Sequence, residues 1–185
     1  MTTTTVLSHL TGDYQLDVVH SRIGFVARHA MITKVHGHFA VFDGRAQLDG
    51  ADPSRSSAQV VIQADSIQTG NNIRDEHLRG NDFLDVPHHP TIEFSSHEVR
   101  RLSGATFRVT GDLTIRGTTR PLSIDLEFTG AMNDPYGNFR AGFEGTVTIN
   151  RKDWGVSWNA ALESGGVLVG EKVTIELDIA VVRQP

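Results

Sequence analysis

Period-two alternation of apolar and polar residues runs through most of this chain, and it restricts the fold more than any other feature. Ile23, Phe25 and Ala27 fall on one face of a strand. From His36 to Phe42 the same pattern places Gly37, Phe39 and Val41 together, and from Ser57 to Asp65 it places Ala58, Val60, Ile62 and Ala64 together. Ile92 and Phe94 open a further run. Phe107, Val109, Gly111, Leu113 and Ile115 alternate with polar neighbours, as do Leu122, Ile124, Leu126 and Phe128, then Phe143, Gly145, Val147 and Ile149, and finally Val173 to Val181. Parallel strands covered on both faces would read as continuous apolar runs, so these strands are antiparallel with one wet face. Turn signals such as Asp43-Gly44, Ser103-Gly104, Arg116-Gly117 and Asn133-Asp134-Pro135 separate them. The expected fold class is all-β, an eight-stranded antiparallel barrel. Long strands in consecutive hairpins favour closure over a sandwich, because closure removes the sheet edges.

One stretch breaks the pattern. Residues 66–96 gather Arg74, Asp75, Glu76, His77 and Arg79 around the apolar anchors Ile73, Leu78, Phe83 and Leu84, then pass Pro87 and Pro90 into a strand. Asn71 to Arg79 is the best helical candidate, so a short helical and loop insertion is expected around residues 66–90. It reads as a polar knot that shuts one barrel end, with Leu78, Phe83 and Leu84 plugging the interior. Residues 1–12 read as a flexible Thr-rich tail and 13–183 as a single β-barrel domain.

Composition narrows the function classes. The chain has no cysteine, which excludes disulfides and thiolate chemistry. The formal net charge is -5 and no basic run stands out, so a nucleic-acid partner is not expected. The N-terminus lacks a basic region followed by an apolar core, and no run approaches the roughly 18 apolar residues of a membrane span. A cytoplasmic protein without stable membrane insertion is expected.

Polar constellations are few. His36 and His38 share one strand face opposite Phe39, which points them outward as an exposed pair; a metal or stress-related module built on them is a third-ranked reading, and no metal is expected. Asp17, His20 and Ser21 have the residue types of a nucleophilic triad but sit on a strand-entry turn, where such groups commonly bond backbone amides. There is no Gly-x-Ser-x-Gly elbow and no phosphate loop. Arg74-Asp75-x-His77 and Asn150-Arg151-x-Asp153 read either as local ion-pair and capping networks or as clamps for an anionic head, since arginine offers a planar fork of donors. Alternation would place Trp154, Val156 and Trp158 on one face, as a ligand wall or as core filling. Small residues on the strands (Gly24, Ala27, Gly37, Ala58, Ala64, Gly111, Gly145) either leave interior room or mark bends.

An ordered set of motifs resembles a known family. It comprises Tyr14-x-Leu16-Asp17-x-x-His20-Ser21 with Phe25 and His29; Val35-x-Gly37-x-Phe39; Ser66-Ile67-x-Thr69-Gly70 running into Arg74-Asp75-x-His77-Leu78-Arg79; and Phe83-Leu84-Asp85 with Pro90-x-Ile92-x-Phe94. Gly111-x-Leu113-Thr114-Ile115-x-Gly117-x-Thr119, Asn150-Arg151-x-Asp153-Trp154-Gly155-Val156-x-Trp158 and Val169-Gly170-Glu171-x-Val173-x-Ile175 complete it. The set resembles the YceI-like family of polyisoprenoid-binding, lipocalin-like proteins. The resemblance implies an extended barrel with a long apolar pocket and a non-enzymatic role in binding, storing or transporting a long-chain isoprenoid, either a polyprenyl phosphate or an isoprenoid quinone, or a similar amphiphilic lipid. It implies a homodimer and no cofactor beyond that lipid. The expected pocket wall is Phe25, Phe39, Val41, Val60, Ile62, Leu84, Ile92, Phe94, Val109, Leu113, Ile124, Leu126, Phe143, Val147, Trp154 and Trp158. Polar head contacts are expected from His20, Arg74, His77 and Arg151. The alternative is a hydrolase-like enzyme on a lipid or small ester, with His20 or His77 as base.

Overall fold

A computed structural model describes residues 7–185. Its strands are β1 (Gly12–Leu16), β2 (Arg22–His29), β3 (Thr33–Phe39), β4 (Phe42–Leu48), β5 (Ser57–Gln63), β6 (Ile67–Gln68), β7 (Thr91–Ser103), β8 (Thr106–Ile115), β9 (Thr118–Asn133), β10 (Phe139–Asn150) and β11 (Val169–Arg183). Helix α1 (Asn72–Arg79) lies between β6 and β7.

These strands merge into eight wall runs. β1 and β2 both pair antiparallel with β11, at Leu16↔Val181 and Arg22↔Asp178, and form one run broken at residues 17–21. β3 and β4 continue one another along β2 and β1, and β5 and β6 continue one another along β4 and β3. β7 to β11 follow as an antiparallel meander, and the β1–β11 pairing closes the ring. The result is a closed eight-stranded antiparallel barrel, as the alternation predicts.

The run predicted from His36 to Phe42 is interrupted. Phe39 ends β3, Ala40 and Val41 form a turn, and Phe42 restarts the wall with the opposite parity. Phe42 is therefore buried, and Val41 is 56% exposed. Val41 is no part of the pocket wall. The Ser66 hydroxyl holds this turn by accepting from Val41 N at 3.0 Å.

The tail expectation also changes. Its first six positions lie outside the described residues, but Leu7 and Leu10 are buried in the main core beside Tyr14 and Leu16. β1 begins at Gly12.

Wall pairing breaks off part-way between β9 and β10. Between β9 and β10 the ladder runs from Asn133↔Phe139 to Glu127↔Glu144, bulges between Gly142 and Phe143, and then stops. Beyond it, β9 pairs only with β8 and β10 only with β11. A 3₁₀ turn, Arg151–Trp154, crosses the open end of this seam. Arg120 Nε donates to the Asp153 carbonyl at 3.0 Å, and Trp154 Nε1 donates to the Leu113 carbonyl at 2.9 Å. Because residues 151–154 form a turn and 155–160 carry no strand, Trp154, Val156 and Trp158 do not share a strand face.

Candidate functional site: an apolar lumen between a plug and a strap

The central insertion closes one end of the barrel. Asn71 caps α1, its side chain accepting from Arg74 N at 3.0 Å, as an N-cap asparagine should. Phe83 is buried, Leu84 packs half-buried on the core, and Leu78 is half-buried. His77 stacks edge-on against Phe83 and Trp158, with ring centroids 5.0 and 4.8 Å away. Leu78, Phe83 and Leu84 sit where a plug needs them, but Ile73, expected as a fourth anchor, is 85% exposed on the outer side of α1, and the polar part also differs.

The expected Arg74–Asp75–His77 ion-pair knot does not form. Arg74 donates to the Thr69 hydroxyl and carbonyl, both at 2.7 Å, while Asp75 accepts from Thr69 N at 2.9 Å. His77 bonds Asp82 at 2.8 Å. Backbone carbonyls dominate elsewhere in this end too. Arg79 donates to Asp65 O at 2.7 Å and Ile67 O at 3.1 Å, and Arg116 to Asn81 O at 2.6 Å and Phe83 O at 2.7 Å. Arg151 is buried and spends its fork on Gly170 O, Val156 O and Val169 O at 2.9, 2.7 and 3.2 Å. Burial pushes its pKa down, with Glu171 opposing. These arginines satisfy backbone carbonyls in loops and at strand ends, which is what buried backbone acceptors require.

A strap, residues 7–11, lies across the other end. Tyr14 Oη donates to Leu10 O at 2.8 Å, Arg183 Nη1 to His9 O at 2.9 Å, and Gly50 N to Thr11 Oγ1 at 3.0 Å. Burial pushes the Tyr14 hydroxyl pKa up, against the opposing effect of Arg183, so the hydroxyl stays a donor. The Leu7 carbonyl rests on Gly50, where any side-chain carbon would overlap it.

Under the strap lies an apolar cavity of about 140 Å³. Every one of the eight wall runs contributes to it: Leu16, Ala46, Ala58, Val99, Phe107, Leu126, Phe143 and Val181 come from successive runs, with Leu7 and Leu10 above. Of the expected wall, Val60, Val109, Leu126 and Phe143 line this cavity. Ile62, Ile92, Leu113 and Trp154 are packed core, and Ile124 is buried as well. Phe39, Phe94 and Leu84 pack half-buried against that core, Phe25 stacks on Phe39 at 5.7 Å, and Val147 faces Ile175 across β10 and β11. Trp158 belongs to the plug. Of the small residues, Ala58 does open onto the cavity, whereas the space above Gly37 is filled by the Phe25 ring and that above Gly111 first by the Ser95–Ser96 backbone of β7, with the Phe94 ring behind it. The expected wall missed Leu7, Leu10, Leu16, Ala46, Leu48, Val99, Phe107, Ile179 and Val181, all of which line the cavity. For Leu7 and Leu10 the spacing, three residues apart before the first strand, is the only signal.

None of the four expected head contacts lines the cavity. His20 lies outside on the β1–β2 break. Its Nδ1 bonds Asp17 at 2.8 Å, and Asp17 also accepts from Val19 N and His20 N, closing the turn. Ser21 Oγ donates to Ala180 O at 3.2 Å and accepts from Ala180 N at 2.9 Å, standing in for a ladder bond. These bonds hold the wall together and leave Ser21 committed to the sheet. His36 and His38 pair with Val26 and Gly24 on β2, on the opposite side of the strand from Phe39.

Similarity to known proteins runs along the whole barrel. A family model described as a YceI-like domain matches residues 14–181. A protein of Pseudomonas paraeruginosa, named only as a UPF0312 protein, is 36% identical over 177 residues, covering 95% of this chain and 89% of its own. Burkholderia cenocepacia BcnA superposes with a TM-score of 0.79 at 22% identity, over 89% of this chain and 98% of its own. A Saccharophagus degradans structure, described as a polyisoprenoid binding domain implicated in plant cell wall breakdown, superposes with a TM-score of 0.69 at 16% identity, over 92% and 98%. The family match, the curated relative and the shared closed barrel agree: the chain belongs to the YceI-like family.

Proposed function

We propose that this protein binds a long-chain isoprenoid or a similar amphiphilic lipid in its barrel interior and carries it without chemical change. One observation carries the reading: a cavity of about 140 Å³ whose wall draws apolar residues from every wall run, with the protein's own strap lying over it. Each methylene moved from water into such a space contributes about 0.8 kcal/mol, so a prenyl tail binds without specific contacts. The described fold of the Saccharophagus degradans domain supports a polyisoprenoid as the ligand class.

The head group follows from the arginines. Arg74, Arg79, Arg116 and Arg151 have their guanidinium groups on backbone or Thr69 oxygens, which leaves a phosphate little to displace them for. A neutral head, such as an isoprenoid quinone, fits better than a polyprenyl phosphate. Native mass spectrometry followed by organic extraction tests the carrier role, and uptake of added quinone and polyprenyl phosphate tests the head. Quinone uptake without phosphate uptake is expected. Failure to take up either lipid sinks the carrier reading, and a preference for the phosphate sinks the neutral-head assignment alone.

A further inference from the structure

The β2–β3 hairpin ends in a turn from His29 to Ile32, closed by Ile32 N donating to His29 O at 3.0 Å. Both central residues, Ala30 and Met31, have positive φ, at 50° and 62°. Glycine or asparagine normally occupies such positions, so this turn holds strained backbone where an easier sequence exists. What the strain presents is apolar: Met31 is 61% exposed and Ile32 76%.

Charge is unusual at the same place. Arg28 and Lys34 face each other as a cross-strand pair, both exposed. Like charges directly opposite on a sheet cost stability. Arg28 donates to Ile32 O at 3.1 Å, and neither cation belongs to an ion pair among the described residues. Residues 18–42 contain Arg22, Arg28 and Lys34 and no Asp or Glu, in a chain whose net charge is -5. The loop packed beneath the tip, where Met31 rests on Gly166, brings one carboxylate, Glu163.

Two independent costs, strained apolar exposure and an unmatched cation pair, are both relieved by one kind of surface. We propose that the β2–β3 hairpin tip docks on an anionic phospholipid bilayer. Met31 and Ile32 enter the boundary between head groups and acyl chains, while Arg28 and Lys34 meet the phosphates. Amphipathic elements with apolar tips and flanking cations bind membranes by this combination.

Flotation with isoprenoid-free vesicles tests it, using phosphatidylcholine alone and phosphatidylcholine mixed with phosphatidylglycerol. The protein is expected to float with the mixed vesicles only and to release at about 0.5 M salt, where the field is screened. Met31→Ser/Ile32→Ser should abolish flotation. Arg28→Gln/Lys34→Gln should weaken it about 25-fold, roughly fivefold per cation. Melting temperatures serve as the folding control, since all four side chains are exposed. No flotation of the parent protein, or equal flotation of both variants, overturns the proposal. So does a tip variant that floats normally but changes from dimer to monomer in sedimentation, which would assign the patch to a second copy of the chain. Because the vesicles carry no isoprenoid, this result and the carrier test fail independently.

Discussion

Arginine side chains do in this barrel what caps and ladders do elsewhere. Arg151 satisfies three carbonyls from a buried position, that of Val156 in a loop and those of Val169 and Gly170 at the start of β11, so Arg151→Lys keeps the charge but loses the fork. A loss of about 3–6 kcal/mol is expected in urea unfolding, since hydrogen bonds to charged groups contribute about 1.5–3 kcal/mol each and one of the three survives. Retention of full stability would remove the stapling role. Arg140 has a different part, joining Asp17 and, at 2.6 Å, Asp134. The Arg140 bond, helped by the backbone N–H of Asn138, holds the Asp134 carboxyl far below its ordinary value of 3.8. Burial works upward on Asp17, but bonds from His20 and Arg140 outweigh it and its pKa is also lowered. Depressed folded values stabilise above the unfolded pKa, near pH 4, and that stability drains as pH falls through the folded values. Arg140→Gln should therefore melt below the parent at pH 7, with the gap closing toward pH 2; a gap constant across that range refutes the linkage. The sequence shows that Arg151 and Arg74 are special but not why. Every residue offers a carbonyl, and only the fold decides which ones lack a partner.

At the level of elements, alternation made β8 to β11 readable because each is long and keeps its parity over most of its length, β9 losing it only past Phe128, where the bulge turns Ala131 rather than Met132 to the core. It failed where parity resets. The Ala40–Val41 turn flips the face within a run that reads as continuous, which misplaced Val41. It also failed for the strap, because two leucines in five residues have no period to detect. Helix α1 was legible from its Asn71 cap and charged pattern. The strap's fit on Gly50 gives a specific expectation: Gly50→Ala should lift residues 7–11 off the barrel mouth. Amide exchange there should rise more than tenfold, because the strap then opens without global unfolding. Exchange equal to the parent's would show that the strap finds another seat.

For the whole molecule, single-faced strands in consecutive hairpins were enough to specify a closed eight-stranded barrel, since no other arrangement buries every apolar face and leaves no edge. The interior was less legible. Sequence marks which face turns inward, not how far inward side chains reach, so the Phe25 ring covering Gly37 could not be foreseen. The cavity of about 140 Å³ is well below the roughly 300–1,000 Å³ of a typical ligand pocket. The seam between β9 and β10 bears on this shortfall. A cylinder stitched all round can widen only by breaking backbone bonds, whereas this one is unstitched beyond Glu127 and Glu144. The β7–β9 side can swing from the β10–β11 side like a coat with an open zip, restrained at its hem by Arg120 and Trp154. Seam-facing amides of residues 118–125 and 145–150 should exchange faster than those of β8, and slow when lipid is bound; protection equal to that of β8 would mean the garment is sewn shut.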